Sequence, residues 1–302
     1  MPSEFGRMYY EGMSVQNVNK SLRRAMLGDC WEYDVRSSVV TWKMSFSREY
    51  LQATDYQEEV RRAFSTTLWY LEDKSDFMRH VQSYTFANES NVVADLQTKL
   101  IKEAMTALCF GARLSMHGWY TDNAGWQNPA LGDIIKNEGE RKRFVNCKAV
   151  QDFVREQNAL DNHIFDIIKR VAPDSLKNPL LRTNKRPSKS KVVAFAYQRA
   201  ETHAMDFAYK FLASKNIEVL AKIHDAFIVR DQLRESVKID LEAEVRFETN
   251  NEYWRLGEKQ LHRWSEVISQ EEKKRITEHK AFIANEFDYM RDKLKNRIEQ
   301  SS

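Results

Sequence analysis

Two aspartates stand among residues that make a carboxylate expensive unless something compensates it. Asp34 sits in EYDVRSS and Asp225 in AKIHDAFIV, the latter between two apolar runs. A charged group in such surroundings calls for a partner, and a bound cation is one. Two carboxylates can hold two divalent ions about 4 Å apart, a clamp for the attacking and leaving oxygens of phosphoryl transfer. Taken singly, Asp34 reads better as a turn or cap residue, and Asp225 equally well as one. Further along, Lys99, Lys102, Thr106, Phe110 and Arg113 recur at steps of three and four, which puts them along one face of a predicted helix. Such a face could meet a triphosphate with its ammonium groups and a base or sugar with its ring. Lys102 could also protonate leaving pyrophosphate. Without the two aspartates the same segment is an ordinary amphipathic helix.

Elements must then position these groups. WEYDVRSSVVTWKMSF at 31–46 reads as a strand carrying Asp34 near its start, then a turn or further strand. Residues 48–115 read as mostly helical, with ADLQTKLIKEAMTALCFGARL as one long helix. A loop around Gly118, Gly125, Asn128 and Pro129 follows, then helices to about 170. The stretch 171–191, rich in Pro, Asn and Lys, reads as a mobile basic loop. Residues 192–215 read as a helix ending at Asn216. Strand, turn and strand around His224-Asp225 span 217–231, a helix 233–268, and a charged helix 270–300.

The chain has 302 residues, 42% hydrophobic and 30% charged, with only 9 Gly and 5 Pro, which excludes a disordered or loop-dominated protein. A formal charge of +3 permits a nucleic-acid partner without requiring one. Basic groups do concentrate, at Lys20, Arg23 and Arg24, at Lys136 and Arg141 to Arg143, and at Lys185, Arg186, Lys189 and Lys191. Cys30, Cys109 and Cys147 are too far apart for a zinc knuckle and read as reduced thiols. With no membrane-spanning run or signal segment, the chain is expected to be cytoplasmic, in a host cell if phage-encoded, and not to engage a membrane.

In order and spacing the chain resembles the superfamily of family A DNA polymerases and single-subunit phage and mitochondrial RNA polymerases. Ser3-Glu4-Phe5-Gly6-Arg7 resembles the Gly-Arg element, Asp34 the motif A aspartate, and Lys102 with Phe110-Gly111 the fingers helix of motif B. Gln198 resembles the glutamine before motif C, and His224-Asp225 the His-Asp of motif C. The resemblance implies an α+β fold, a polymerase palm of small antiparallel sheet with helices plus mostly helical fingers, the thumb being absent. It divides the chain into palm at 1–47, fingers at 48–191, palm again at 192–268 and a terminal helix at 269–302. It implies two Mg²⁺, with Mn²⁺ as a substitute, on Asp34, Asp225 and the Val35 carbonyl. Lys102 would contact phosphate, Phe110 would pack under the nucleotide, and Arg7, Gln198 and His224 would position primer and template. Thr98 stands in place of the usual arginine, which gives Lys99 or Arg113 its phosphate role. His203 reads as structural.

Sugar choice is divided. Val39 stands where the DNA enzymes carry a glutamate that blocks a 2′-OH, and Thr106 where they carry an aromatic. The spacing from Lys102 to Asp225 and Gln16-Asn17 resemble the DNA enzymes instead. The balance falls on a DNA-directed RNA polymerase catalytic subunit. The alternatives are a compact DNA polymerase and an inactive nucleic-acid-binding subunit. Expected partners are a DNA template, a primer or nascent strand and nucleoside triphosphates. A second polypeptide, supplying thumb and template recognition as in a split phage-type polymerase, is expected as well, unless the chain is a minimal enzyme making short products.

Overall fold

A computed structural model of the chain describes residues 20–52, 56–87, 90, 92–121, 125–127, 129–183 and 186–262. Arg7 with its Gly-Arg element, Gln16-Asn17, Lys185 and the terminal stretch 269–302 lie outside them.

Among the described residues the fold is α+β, with one small antiparallel sheet and a mostly helical remainder. The sheet combines β1 (Cys30–Val35) with three strands from much later in the chain, β6 (Val219–Ile223), β7 (Ala226–Val229) and β8 (Leu256–Leu261). Their order is β6-β7-β1-β8, all pairs antiparallel. Two short ribbons, β2 (Trp119–Thr121) with β3 (Gly125–Gln127) and β4 (Arg182–Thr183) with β5 (Arg186–Pro187), lie apart from it.

Alternation explains how β1 sits. Tyr33 and Val35 turn to one face and pack with Phe227, Val229, Met205, Ala208, Leu212, Leu241 and Val245. Phe227 and Val229 come from β7 and the other five from two covering helices, α11 (Lys189–Ser214) and α12 (Glu235–Thr249). Cys30 turns to the opposite face with Ile228, Ala221, Leu261 and Leu27 of α1 (Lys20–Leu27). Asp34 shares that opposite face at the open end of the strand. β7 is buried along its whole length, as a central strand covered on both sides must be.

After β1 come α2 (Ser38–Met44), α3 (Ser47–Leu51), α4 (Tyr56–Ala63), α5 (Ser65–Glu72), α6 (Lys74–Thr85) and α7 (Ala94–Cys109). Then follow α8 (Ala130–Ile134), α9 (Glu138–Asn146) and α10 (Lys148–Val171). Their core gathers Val40, Phe77, Val81, Ile101, Met105, Phe144 and Phe153. No described helix is long and apolar enough to cross a membrane.

Several expectations need correction. Asp34 lies near the end of its strand, and the next element is helix α2, entered through Ser37 at φ 50°. Residues 171–191 carry two 3-10 turns (Pro173–Lys177, Pro179–Leu181), the β4–β5 ribbon and the start of α11. The helix expected over 233–268 stops at Thr249. Asn250 takes φ 50°, and the amides of Asn250 and Asn251 return to Phe247 and Arg246 carbonyls, closing the helix end. The chain re-enters the sheet as β8. Asn216, expected as a break, ends α11 in the same way at φ 57°, with amides of 216 and 217 bonded to Ala213 and Leu212.

Candidate active site

The register brings the two aspartates together. Asp34 is paired with Ala226, so the residue after it faces Asp225, and the Val35 amide donates to the Asp225 carbonyl at 2.9 Å. His224 and Asp225 are the two loop residues of the β6–β7 hairpin. His224 adopts φ 39°, the sense a two-residue hairpin loop favours because it matches the strand twist. Asp34 is exposed and Asp225 half-buried. Neither forms an ion pair among the described residues.

Across β1 on the other side lies Gly257, opposite Asp34. A Cβ on Gly257 would come within 2.5 Å of Asp34 Oδ1. The glycine therefore leaves the room that the carboxylate occupies.

Asp225 is held from a different direction. Ser38 Oγ, at the start of α2, donates to Asp225 Oδ2 at 2.9 Å and lies 2.7 Å from the Tyr197 hydroxyl. Tyr197 in turn donates to Glu201, one turn on along α11. Burial pushes the Tyr197 phenol well up, and the charges of Glu201 and Asp225 push the same way. Its ring meets Trp42 at 5.7 Å and Phe110 edge-on at 5.9 Å. One tyrosine thus ties the sheet end to the end of α7.

On α7 the stripe Ile101, Ala104, Met105 and Leu108 is buried, and Lys99, Lys102 and Thr106 are exposed on the other side. Thr106 bonds back to the Lys102 carbonyl at 2.7 Å. The helix stops at Cys109. Gly111 takes φ 87°, and the amides of Gly111 and Ala112 return to Leu108 and Ala107 carbonyls, a Schellman closure. A Cβ on Gly111 would also stand 3.0 Å from Ser190 Cβ. This closure corrects the expectation of a helix through residue 114. Arg113 leaves the helical face and stacks its guanidinium 4.2 Å from the Trp119 ring centroid. Phe110 remains at the helix end, 42% exposed.

The end of α7 is anchored to the segment after Asp34 by Lys43. Its ammonium is buried, donates to the Cys109 carbonyl at 2.8 Å and pairs with Asp161 of α10 at 2.7 Å. Burial raises the Cys109 thiol to about 11 although Lys43 and Lys74 pull it down.

Lys74 was not anticipated from sequence. It donates to Ser37 Oγ at 3.0 Å and lies 4.9 Å from the Tyr70 ring centroid. Burial lowers the pKa of its ammonium; Cys109 and Asp34 oppose that shift and Lys102 adds to it. Lys74 therefore stands in the field of both Asp34 and Lys102. Ser38, Tyr197, Glu201 and Gly257 were also unforeseen, although the four-residue step from Tyr197 to Glu201 marks one helix face.

The remaining expected residues are dispersed around this centre. Gln198, next to Tyr197, is half-buried with an amide oxygen that has no partner among the described residues. Val39 is only 8% exposed and belongs to the helical core, where it lines a small cavity with Phe110 and Gly111 at the end of α7. His203 is exposed, with its Nε2 4.0 Å from Glu248.

No group of three or more potential metal-ligating side chains occurs among the described residues. The donor set that does occur, two neighbouring carboxylates without ion-pair partners among the described residues and a carboxylate seat cleared by Gly257, is the hard-oxygen chemistry that suits Mg²⁺.

No family model matches the chain, and no curated protein does. Among solved structures it is similar to the POL domain of Pol1 from M. smegmatis, determined in complex with DNA primer-template and dNTP. The TM-score is 0.49 at 14% identity, over 87% of this chain and 46% of that one. The chain thus spans under half the length of the structure it matches.

Proposed function

We propose that the chain carries the catalytic region of a template-directed nucleotidyltransferase, one that joins a nucleoside 5′-triphosphate to a 3′-OH. The observation that carries this reading is the juxtaposition of Asp34, at the end of β1, with Asp225, in the hairpin loop bonded to the Val35 amide, and Lys74 in the field of both Asp34 and Lys102. In this reading Asp34 and Asp225, with the Val35 carbonyl, hold Mg²⁺ or Mn²⁺, which neutralises phosphate charge and activates the attacking oxygen.

The chain's own residues do the rest. Lys99 and Lys102 receive the β- and γ-phosphates, and Lys74 adds a third cation nearer the sheet. The primer 3′-OH gives up its proton to solvent water as its oxygen bonds to the α-phosphorus, the bond to the bridging oxygen breaks, and Lys102 gives its proton to the departing pyrophosphate. Ser38, held by Tyr197, orients the Asp225 carboxylate. Phe110 packs beneath the nucleotide. Gln198 offers its unpartnered amide oxygen to the primer-template, and His224 stands on the hairpin beside the metal carboxylates.

Deoxyribonucleotides are the leading substrate, because Phe110 is an exposed ring without the hydroxyl that the RNA enzymes use to recognise a 2′-OH. The withdrawal of Val39 into the core supports a second reading, ribonucleotide use, since no glutamate blocks the sugar at that position. Extension of a labelled primer on a DNA template with Mg²⁺ tests both, comparing four dNTPs with four rNTPs. Asp34→Asn and Asp225→Asn should each lower incorporation about 1,000-fold or more. Retained synthesis in either variant would reject the assignment, and preference for rNTPs would replace the first reading by the second.

A further inference from the structure

A cleft of about 700 Å³ opens beside the aspartate end of the sheet, walled by the segment from Arg36 to Glu72 and by the end of α12 with the turn after it. Arg36, Arg48, Arg61, Arg246 and Arg255 reach it, against Glu72 and Glu252, an excess of three positive charges. Arg246 and Arg255 share the buried Glu242 at 3.3 and 3.9 Å. Exposed ion pairs take up more of that charge, Arg48 with Glu252 at 3.0 Å and Arg61 with Glu72 at 3.6 Å. Such pairs are weak and exchange readily for a phosphate. Arg36 forms no ion pair among the described residues.

Phe247 lines the same wall and is 86% exposed, the largest exposure of any bulky apolar side chain among the described residues. Phe247 lies two residues from the buried Val245, on the face of α12 turned away from the sheet, which the helix covers with Leu241, Glu242 and Val245. The half-buried Tyr253 adds a second ring to the cleft. Arginines that track a phosphate backbone, interleaved with rings on which bases stack, are the recognition chemistry of single-stranded nucleic acid. A duplex keeps its base faces stacked inside and offers nothing to an exposed ring.

We infer that this cleft binds a single-stranded segment of nucleic acid, with Phe247 as the stacking platform and Arg36 and Arg61 as backbone contacts. Ser37 connects it to the candidate active site, since Ser37 lines the cleft and accepts the Lys74 ammonium. An unpaired strand entering or leaving that site would find the cleft beside it. The inference stands on the cleft's own chemistry and holds for a chain that does not synthesise.

The test is anisotropy of a fluorescein-labelled dT12 on the full chain, titrated with KCl, with a blunt 12-bp duplex as competitor. Phe247→Ala should weaken dT12 binding about tenfold. Because the ring is already in water, the variant should keep the parent's circular dichroism and unfolding midpoint. Arg36→Ala with Arg61→Ala should lower the slope of log K against log salt by about 1.4, at about 0.7 per charge on a single strand. Asp225→Asn should leave dT12 affinity unchanged, which separates this site from the catalytic one whether or not the chain synthesises. Unchanged dT12 affinity in Phe247→Ala and in the arginine variant overturns the inference. So does a duplex that competes as well as unlabelled dT12.

Discussion

The helical body and the open end of the sheet both carry charge in confined places, and they resolve it in opposite ways. In the body, the buried charges Lys43 and Glu156 each have partners. Lys43 is matched by Asp161 and the Cys109 carbonyl, and Glu156 accepts the Thr66 and Thr67 amides at 3.2 and 2.7 Å, capping α5. At the sheet end, among the described residues, Asp34 at the end of β1 and Asp225 in the neighbouring hairpin loop form no ion pair, and Lys99 and Lys102 stand exposed on α7 without one. Pairing is what makes a buried charge tolerable. Charges of both signs left apart at one edge are available to something that is not protein, and a metal-bound triphosphate has the complementary pattern.

That contrast can be broken from either side. Lys43→Ala strands Asp161 in the core and should cost about 3–5 kcal/mol, measured by urea unfolding. The double variant Lys43→Met, Asp161→Leu should recover most of that loss. Asp34→Asn, by contrast, should leave stability within about 1 kcal/mol of the parent, because an exposed carboxylate beside another carboxylate contributes little to folding. A large loss there would erase the distinction between the two regions.

Gly257→Ala sharpens it. The new methyl meets Asp34 Oδ1 at 2.5 Å, so the carboxylate must rotate. Incorporation should fall about 100-fold, the effect of a displaced catalytic group, with a stability cost of about 1–2 kcal/mol. Loss of stability without loss of incorporation would make the glycine a packing residue only.

Lys74→Met is the smallest effect. A lysine whose pKa falls below 10.5 on folding opposes folding while both states are protonated. The opposition fades as pH rises through the window between the lowered value and 10.5. The methionine variant should therefore gain up to about 1 kcal/mol at neutral pH, and the gain should shrink towards pH 10.5. Its nucleotide KM should rise about tenfold if Lys74 serves phosphate.

What the sequence disclosed follows the same division. The local forms that carry Lys102 and Asp225, a helix face and a hairpin loop, were legible because they are written in neighbouring residues, whereas the place of Asp34 at the end of its strand was not. Gly111 was legible for the same reason, yet its closure of α7, and so the departure of Arg113, depends on a backbone sign that residue types only suggest. β8 was not legible. LGEKQL carries two charges and a glycine in six residues, and only pairing with β1 makes it a strand. Gly257 was lost with it. Ser38 and Tyr197 lie 159 residues apart, and Lys74 meets Ser37 from another helix. Tertiary packing alone joins them.

The central claim is that Asp34 and Asp225 together form a divalent-metal site, and Mn²⁺ binding followed by electron paramagnetic resonance tests it without reference to synthesis. With a non-hydrolysable nucleoside triphosphate present, the parent chain should bind Mn²⁺, and Asp34→Asn and Asp225→Asn should each weaken that binding at least tenfold. Equal Mn²⁺ binding by parent and both variants would contradict the account.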